Sequence, residues 1–412
     1  MHCDAHWTDP VNPGHAIVRL PQSRRPAQGT HGLSVSPPLS VYVHLPWCLR
    51  KCPYCDFNSH ESPDALPEQA YLDALRTDLE LSLPLVWGRT VHSVFIGGGT
   101  PSLFSPDGID RLLSDLRARL RLAADAEITL EANPGTFERL RFRAYRQAGV
   151  NRLSLGIQSF DDRALHALGR VHDREQALAA AQAAREDFET FNLDLMVALP
   201  GQSMAKLDAD LSQALAFEPP HLSVYQLTLE PNTLFAARPP RELPDEDLAA
   251  EMHDNAVRRL AAVGLQRYEV SAFARTGHRA RHNLNYWQFG DYLGIGAGAH
   301  GKLSFHDRII RQSRWRHPAA YMTQAGQGRP VEIERILTAA DLPFEFMLNA
   351  LRLIDGVPSA LFEERTGVSL ARVSAVLRDL QHRGLILADP ARLATTERGL
   401  AFLSNVQEAF LS

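Results

Sequence analysis

The chain predicts an α/β fold, a partial (β/α)6 barrel followed by a C-terminal winged-helix-like α+β module. Three observations carry this reading. Between Leu39 and about Thr228, six short β-rich runs alternate with amphipathic helical segments, the pattern of a parallel sheet assembled from βα units. Six repeats fall short of the eight that close a full barrel, which leaves an open, curved sheet. Residues 331–412 then change character to three helical stretches and a hairpin.

The strand runs are Leu39 to Leu45, Val91 to Ile96, Ala126 to Leu130, Arg152 to Ile157, Phe191 to Val197 and His221 to Leu227. Between the first two, Leu72, Leu75, Leu79 and Leu83 recur at helical spacing. Ser105 and Pro106 open the next helix, which carries Ile109, Leu112, Leu113, Leu116 and Leu120. Thr136 is the expected cap of a third helix ended near Gly149, and Ser203 caps one bearing Leu207, Leu211 and Leu215. An acidic, Pro-containing connection follows, then a helix from about Asp245 to Val263 ended by Gly264, and a glycine-rich stretch with unusual aromatic content. In the C-terminal module the helical stretches are Leu342 to Leu353, Pro358 to Glu364, and one with Leu370, Val373, Leu377 and Leu380 closed by Gly384. The hairpin is expected over Leu385 to Thr396. The expected organisation is a tail over 1–38, the barrel over 39–230, an extension over 231–330 and the module over 331–412.

Composition excludes several classes. With 412 residues, 45% hydrophobic and 22% charged, the chain has the balance of a soluble globular protein. A net charge of −5 gives no global field toward nucleic acid or anionic lipid. Residues 331–412 hold eight Lys and Arg against eleven Asp and Glu, which argues against a DNA-binding role for the winged module. The longest uncharged run, Pro26 to Leu49, is broken by Pro37, Pro38 and Pro46, so no transmembrane segment is expected. Arg24 and Arg25 precede it without the apolar stretch that a twin-arginine signal needs. The tail is rich in Pro, His, Gly and Arg and is expected to be mobile, its Cys3 and His6 incidental. Four cysteines cannot form a disulfide framework in so long a chain, and a reducing, cytoplasmic setting is expected.

In open α/β sheets chemistry sits at the carboxyl ends of the strands, and here those ends are conspicuous. The first leads into Cys48, Cys52 and Cys55; the second into Gly97, Gly98, Gly99, Thr100 and Pro101; the third into Glu131, Ala132, Asn133 and Pro134; the fourth into Gln158, Ser159 and Phe160. The fifth carries Asp194. CxxxCxxC on a strand-to-helix loop gathers three thiolates, stiffened by Pro46 and Pro53. Three soft ligands suit iron and sulfur. Structural zinc normally takes four ligands, and Phe57 and the distant His60 offer no obvious fourth. A [4Fe-4S] cubane held by three cysteines keeps one iron open to another ligand.

With this cluster and the aromatic Tyr54 between its last two cysteines, the sequence resembles the radical S-adenosylmethionine superfamily. The resemblance implies that the open iron chelates the methionine end of S-adenosylmethionine, and that electron injection into the sulfonium generates a 5′-deoxyadenosyl radical. Gly98 and Gly99 lack side chains, so their backbone can approach such a ligand closely. Glu131 and Gln158 are candidates to bond its amino or ribose groups. Arg170 and Asp194 either complete that polar ring or form a structural ion pair on the rim. Tyr42 and Thr100 complete the candidate pocket. A second pattern, Gly296, Gly298 and Gly301, lacks the βαβ context of a dinucleotide site and reads as close chain packing.

YVHLPWC (Tyr42 to Cys48), CPYCDFNSH (Cys52 to His60), GGGTPS (Gly97 to Ser102), EANPG (Glu131 to Gly135), SLGIQSF (Ser154 to Phe160) and HNLNYW (His282 to Trp287) narrow the likeness. Together they resemble the HemW-type heme chaperones, relatives of the oxygen-independent coproporphyrinogen III oxidases. The oxidases carry a further cysteine where this chain has Phe57, and the HNxxYW block is characteristic of the chaperones. The resemblance implies heme as a ligand, His282 as its axial ligand, an acceptor protein for the heme, and a flavodoxin or ferredoxin as electron donor. Arg279 and Arg281 are placed to pair with propionates. Two alternatives stay open: His282 as a buried structural histidine in an aromatic cluster, and oxidative decarboxylation of coproporphyrinogen III as the activity.

Overall fold

The computed structural model of the chain describes residues 32–33, 35–135 and 138–411. Residues 1–31 of the expected tail, with Cys3 and His6, and the Thr136 cap fall outside the described residues. The end of that stretch is fastened, since Leu33 N donates to the His306 carbonyl at 3.1 Å.

All six expected strands are present, as β1 (Leu39–Leu45), β2 (Thr90–Gly98), β3 (Arg121–Ala132), β4 (Arg152–Gln158), β5 (Thr190–Val197) and β6 (His221–Gln226). They pair in parallel and in chain order. Helices α1 (Glu68–Val86), α2 (Pro106–Arg119), α3 (Glu138–Ala148), α4 (Asp162–Ala167), α5 (Arg174–Asp187) and α6 (Met204–Leu215) make the crossovers. Local chemistry sets their starts. The Ser105 hydroxyl accepts from Gly108 N at 3.0 Å ahead of Pro106, and Ser203 accepts from Lys206 N, each such cap being worth about 1 kcal/mol.

Strand alternation divides the sheet into two chemistries. Val41, Val43, Val94, Ile96, Ile128, Leu130, Leu153, Leu155, Leu193, Leu195, Leu222 and Val224 are buried in the core shared with the crossover helices, where burial of each side chain is worth roughly 1.5–3 kcal/mol. The alternate positions carry Tyr42, His44, Ser93, Phe95, Thr129, Arg152, Ser154, Asn192, His221 and Ser223, which face the inside of the curved sheet. Register places Thr129 beside Arg152, Ser154 beside Asn192 and Asn192 beside His221. Asn192 ties this inner face together, bonding Ser154, His221 and Ser223 at 2.7–3.0 Å.

The extension departs from expectation. Its helix α7 (Glu246–Ala262) is as read, capped by Asp245 and ended at Gly264. The glycine-rich stretch beyond it is largely strand. After β7 (Gln266–Arg267), β8 (Ala272–Ala274) and α8 (Arg281–Trp287), strand β9 (Asp291–Ile295) adds in parallel to the outer edge of β1. Antiparallel β10 (His300–Ser304), β11 (Ile309–Arg314) and β12 (Val331–Ile336) continue from it, with α9 (Pro318–Gly326) between the last two. The resulting twelve-stranded order is β12-β11-β10-β9-β1-β2-β3-β4-β5-β6-β8-β7. A fully buried ion pair bolts the extension to the barrel. Arg314 donates to Asp78 of α1 at 3.1 Å, and Tyr321 of α9 donates to the same carboxylate at 2.9 Å.

The C-terminal module holds α10 (Asp341–Ala350), α11 (Ala360–Thr366) and α12 (Ser374–His382), the last preceded by a 3₁₀ turn at Leu370–Val373. The hairpin after Gly384 closes through Leu387 N to Ala394 O and Thr396 N to Leu385 O. Its second arm, Arg392–Leu393, pairs with Val357–Pro358. Two further helices, α13 (Glu397–Ala401) and α14 (Leu403–Glu408), were not expected. The module's core includes Tyr286, Trp287, Phe289 and Tyr292, so it packs directly against α8 and β9.

Candidate cluster and cofactor site

The cysteine loop leaves β1 and returns on itself. Trp47–Cys48 pairs in parallel with His60–Glu61, His60 N donates to Pro46 O and Ser62 N to Cys48 O, both at 2.8 Å. Within this ring Cys48, Cys52 and Cys55 are free and half-buried. Among the described residues, no three His, Cys, Asp or Glu side chains converge closely enough for a single metal ion. Three thiolates with no fourth protein ligand are the donor chemistry that suits an iron–sulfur cluster. Burial pushes the Cys48 thiol up despite the Thr100 hydrogen bond, and the Cys55 thiol up to about 11. Metal must therefore displace protons here.

Each thiol meets a hydrogen-bonding side chain, from the end of β2, from the cysteine loop itself and from the turn between α4 and α5. Thr100 Oγ1 lies 3.5 Å from Cys48 Sγ, Ser59 Oγ 3.6 Å from Cys55 Sγ, and Arg170 Nη1 3.6 Å from Cys52 Sγ. Asn133 joins two of these, donating to Thr100 Oγ1 at 2.8 Å and accepting from Arg170 Nη2. Arg170 also donates to Gly156 O at 2.8 Å and to the Tyr54 hydroxyl at 3.5 Å. Burial acts to lower the pKa of this guanidinium, but the neighbouring Tyr54 and Cys52 raise it overall, so it stays cationic. Its Nε is buried without a partner.

The GGGT loop lies against the cysteine loop. Gly99 N donates to Leu45 O and Thr100 N to Trp47 O, both at 2.8 Å. A Cβ on Gly99 would stand 2.6 Å from the Trp47 carbonyl, and one on Gly98 (φ +120°) 2.8 Å from the His44 ring, so glycine is required at both. Gly98 N points to Glu131 at 3.2 Å. Gln158 adopts the left-handed conformation (φ 69°) and accepts from the Tyr225 hydroxyl at 2.7 Å. Asp194 accepts from Asn192 at 2.7 Å, while Arg170 turns to the cysteine loop. Of the two readings of Arg170 and Asp194, these contacts favour separate roles over a rim ion pair. Tyr42 donates its hydroxyl toward His44 Nδ1 and stacks on Phe95. Tyr42, Tyr54, Gly98, Gly99, Thr100, Glu131, Gln158 and Asp194 thus come from the cysteine loop and the inner, carboxyl-end side of β1 to β5, and Arg170 from the turn between α4 and α5.

His282 lies elsewhere, on α8 beneath Tyr42. It is 2% exposed, stacked on Phe95 at 4.9 Å, with Nε2 at 3.0 Å from the Tyr286 hydroxyl and Nδ1 at 3.4 Å from Ser93 Oγ. Burial pushes its pKa down to about 3, so the ring is neutral. Both ring nitrogens are turned to protein groups, which is the geometry of the structural alternative rather than of an open axial ligand. Arg281 and Arg279 are likewise engaged, with Asp125 at 2.9 Å and Asp355 at 3.2 Å. Sequence reasoning missed Asn133, Ser59, His44 and Asn58. Asn133 stood inside the quoted EANPG motif, and its amide chemistry was the available signal.

The radical SAM superfamily family model matches residues 42–214, and that of the HemN C-terminal domain matches 337–402. The chain is similar to heme chaperone HemW of Escherichia coli (strain K12), at 48% identity over 378 residues, 91% of this chain and 99% of that protein. It is 34% identical to heme chaperone HemW of Bacillus subtilis (strain 168), covering 90% and 99%. Against the mitochondrial radical S-adenosyl methionine domain-containing protein 1 of Bos taurus the identity is 37%, covering 96% and 93%. Among solved structures it resembles the coproporphyrinogen III oxidase HemN of Escherichia coli, described as a radical SAM enzyme, with a TM-score of 0.78, 26% identity and coverage of 92% and 91%.

Proposed function

Since the chain belongs to the radical SAM superfamily and, within it, to the HemW heme chaperones, we propose that it binds heme and delivers it to an acceptor protein. The observation that carries this reading is the likeness to those chaperones over nearly their whole length, in keeping with Phe57 where the oxidases have a cysteine. The family implies a [4Fe-4S] cluster and S-adenosylmethionine, and the donor set fits them.

Cys48, Cys52 and Cys55 hold the cluster in this proposal. Thr100, Ser59 and Arg170 donate to their sulfurs. The backbone of Gly98 and Gly99 and the side chains of Tyr42, Tyr54, Thr100, Glu131, Gln158, Arg170 and Asp194 form the cofactor pocket. When bound, the pair supplies one-electron reducing chemistry. The protein's own part is to close the loop ring, keep a buried cation beside Cys52 and present glycine backbone to the ligand. Functional units are proposed at 39–230, 231–330 and 331–412, the last lending Val331–Ile336 as the edge strand of the extension's sheet. Among the described residues no helix is long and apolar enough to cross a membrane; a cytoplasmic location and a flavodoxin or ferredoxin donor belong to the same proposal.

Heme ligation by His282 requires its Nε2 to exchange the Tyr286 hydroxyl for iron, and α8 to part from Phe95. Because Trp287 of α8 also carries Arg352 stacked 4.3 Å from its ring centroid, that motion opens the seam with the C-terminal module. The test of the function is anaerobic reconstitution, heme titration, and a product assay with coproporphyrinogen III. Heme binding without protoporphyrinogen formation is the expected result; protoporphyrinogen formation assigns the oxidase activity instead.

A further inference from the structure

The Gly296, Gly298, Gly301 pattern is absorbed by no part of the cofactor pocket, yet the structure builds its first half to close tolerance. The segment Gly296 to Gly298 turns between β9 and β10 with φ +104° at Gly296 and +76° at Gly298. A Cβ at Gly296 would stand 2.4 Å from the His44 carbonyl, and one at Gly298 2.2 Å from Asn58 Nδ2. Three bonds fix the turn from behind. Gly296 N donates to Asp78 Oδ2 at 3.2 Å, Ala297 N to the Tyr71 hydroxyl at 2.8 Å, and Gly298 N to Trp315 O at 2.9 Å. The Tyr71 hydroxyl in turn donates to His44 O at 2.8 Å.

The turn points at Asn58, three residues beyond Cys55. Both amide hydrogens of Asn58 are used on the extension, one on Ala297 O at 3.0 Å and one on Arg316 O at 2.8 Å. Its own carbonyl is taken from the barrel side by His44 Nε2 at 2.9 Å. His44 accepts the Tyr42 hydroxyl on its other nitrogen and lies against Gly98. The last part of the cysteine loop is therefore gripped from two sides, by a rigid glycine turn of the extension and by a histidine that also touches the GGGT loop.

We propose that Asn58 is the positioning residue of the cysteine loop and that the Gly296–Gly298 turn is its fixed jaw, so that retention of the cluster depends on the extension. The inference rests on the reading that Cys48, Cys52 and Cys55 hold the cluster. An asparagine suits the task because one NH₂ group satisfies two carbonyls whose positions the buried Asp78 and Tyr71 help to set. Glycine suits the jaw because any side chain at 298 displaces the amide.

Asn58→Asp is nearly isosteric and removes both donors; Asn58→Ala removes the side chain; Gly298→Ala pushes it aside. Gly326→Ala, where nothing lies within 4 Å, is the control. Each is reconstituted anaerobically and challenged with an iron chelator, and backbone hydrogen exchange over residues 52–60 is measured in the cluster-free proteins. The expected result is iron loss about tenfold faster in the three test variants, faster exchange confined to residues 52–60, and unfolding midpoints close to that of the parent in the two Asn58 variants. Parent-like iron loss in Asn58→Asp overturns the proposal, as does iron loss that only tracks a lowered unfolding midpoint. Should Gly298→Ala fail to fold, the near-isosteric Asn58→Asp decides alone. Cys55→Ser is run alongside: if it keeps a full cluster, the ligand assignment itself has failed, a different outcome from failure of the clamp.

Discussion

Arg170 Nη1 stands 3.6 Å from Cys52 Sγ while its Nη2 bonds Asn133 and the Gly156 carbonyl, so one buried guanidinium joins the cysteine loop to the ends of two neighbouring strands. Its charge is held in place beside a group that becomes anionic on metal binding. Replacing it with Met removes the charge while keeping much of the volume, and Lys keeps the charge but not the fork.

Arg170→Met is therefore expected to shift the cluster midpoint potential negative by roughly 60 mV, a tenfold change for one electron, because a nearby cation favours the more negative, reduced state. Arg170→Lys should recover part of this shift. A redox titration followed by EPR checks it; an unchanged potential in Arg170→Met means that the charge is screened from the cluster.

Asp78 and Arg314 are wholly excluded from water. Removing one partner of such a pair typically costs 3–5 kcal/mol, because the other charge stays buried alone. Arg314→Met should lower stability by about that amount, as read by denaturant unfolding. The double variant Asp78→Leu/Arg314→Met should recover only part of it, because the Tyr321 hydroxyl and Gly296 N then lose their acceptor.

His282 and Tyr286 give opposed outcomes for heme. If Nε2 takes iron by releasing Tyr286, Tyr286→Phe removes a competitor and should raise heme affinity about tenfold, while His282→Ala abolishes the Soret band. If the histidine only packs, both variants keep the parent Soret maximum and affinity, and the ligand lies elsewhere. Heme titration by absorbance separates the two.

Burial holds both His282 and His172 down to about 3, whereas an unfolded chain takes up the proton near 6.5. The unfolded state thus binds more protons between these values, and stability is complete above about pH 6.5 and falls as pH drops toward 3. Each histidine contributes up to about 1.4 kcal/mol per pH unit. His172→Gln should flatten the dependence between pH 7 and 5.5 in chemical unfolding of the cluster-free protein. An unaltered slope would place its protonation outside that window.

The barrel strands were legible because their outward positions are an apolar period-two series and their ends carry dense glycine and cysteine motifs. All six were located to within a few residues, apart from the early start of β3 at Arg121. The strands of the extension were obscured because Lys302 and Arg314 sit in them as buried charges. Lys302, for instance, is 1% exposed and pairs with Asp291 at 3.0 Å. Such residues read as surface in a sequence, and the Asp78 partner of Arg314 is distant in the chain. The same holds for the site. Cysteine spacing and glycine loops are local and were seen, but Asn58 and Asn133 act through carbonyls and side chains contributed by remote segments. His282 was visible as a motif, but its closure by Tyr286, Phe95 and Ser93 was not.

The placement of β9 along β1 has a practical consequence for dissecting this protein. The strand that launches the cysteine loop is an interior strand only because residues 291–295 cover one of its sides. A fragment stopped at residue 230 would bare a row of backbone amides and carbonyls flanked by Leu39, Val41 and Val43, an invitation to intermolecular sheet growth. Truncations intended to isolate the iron–sulfur half should therefore retain β9 to β12 or be expected to precipitate.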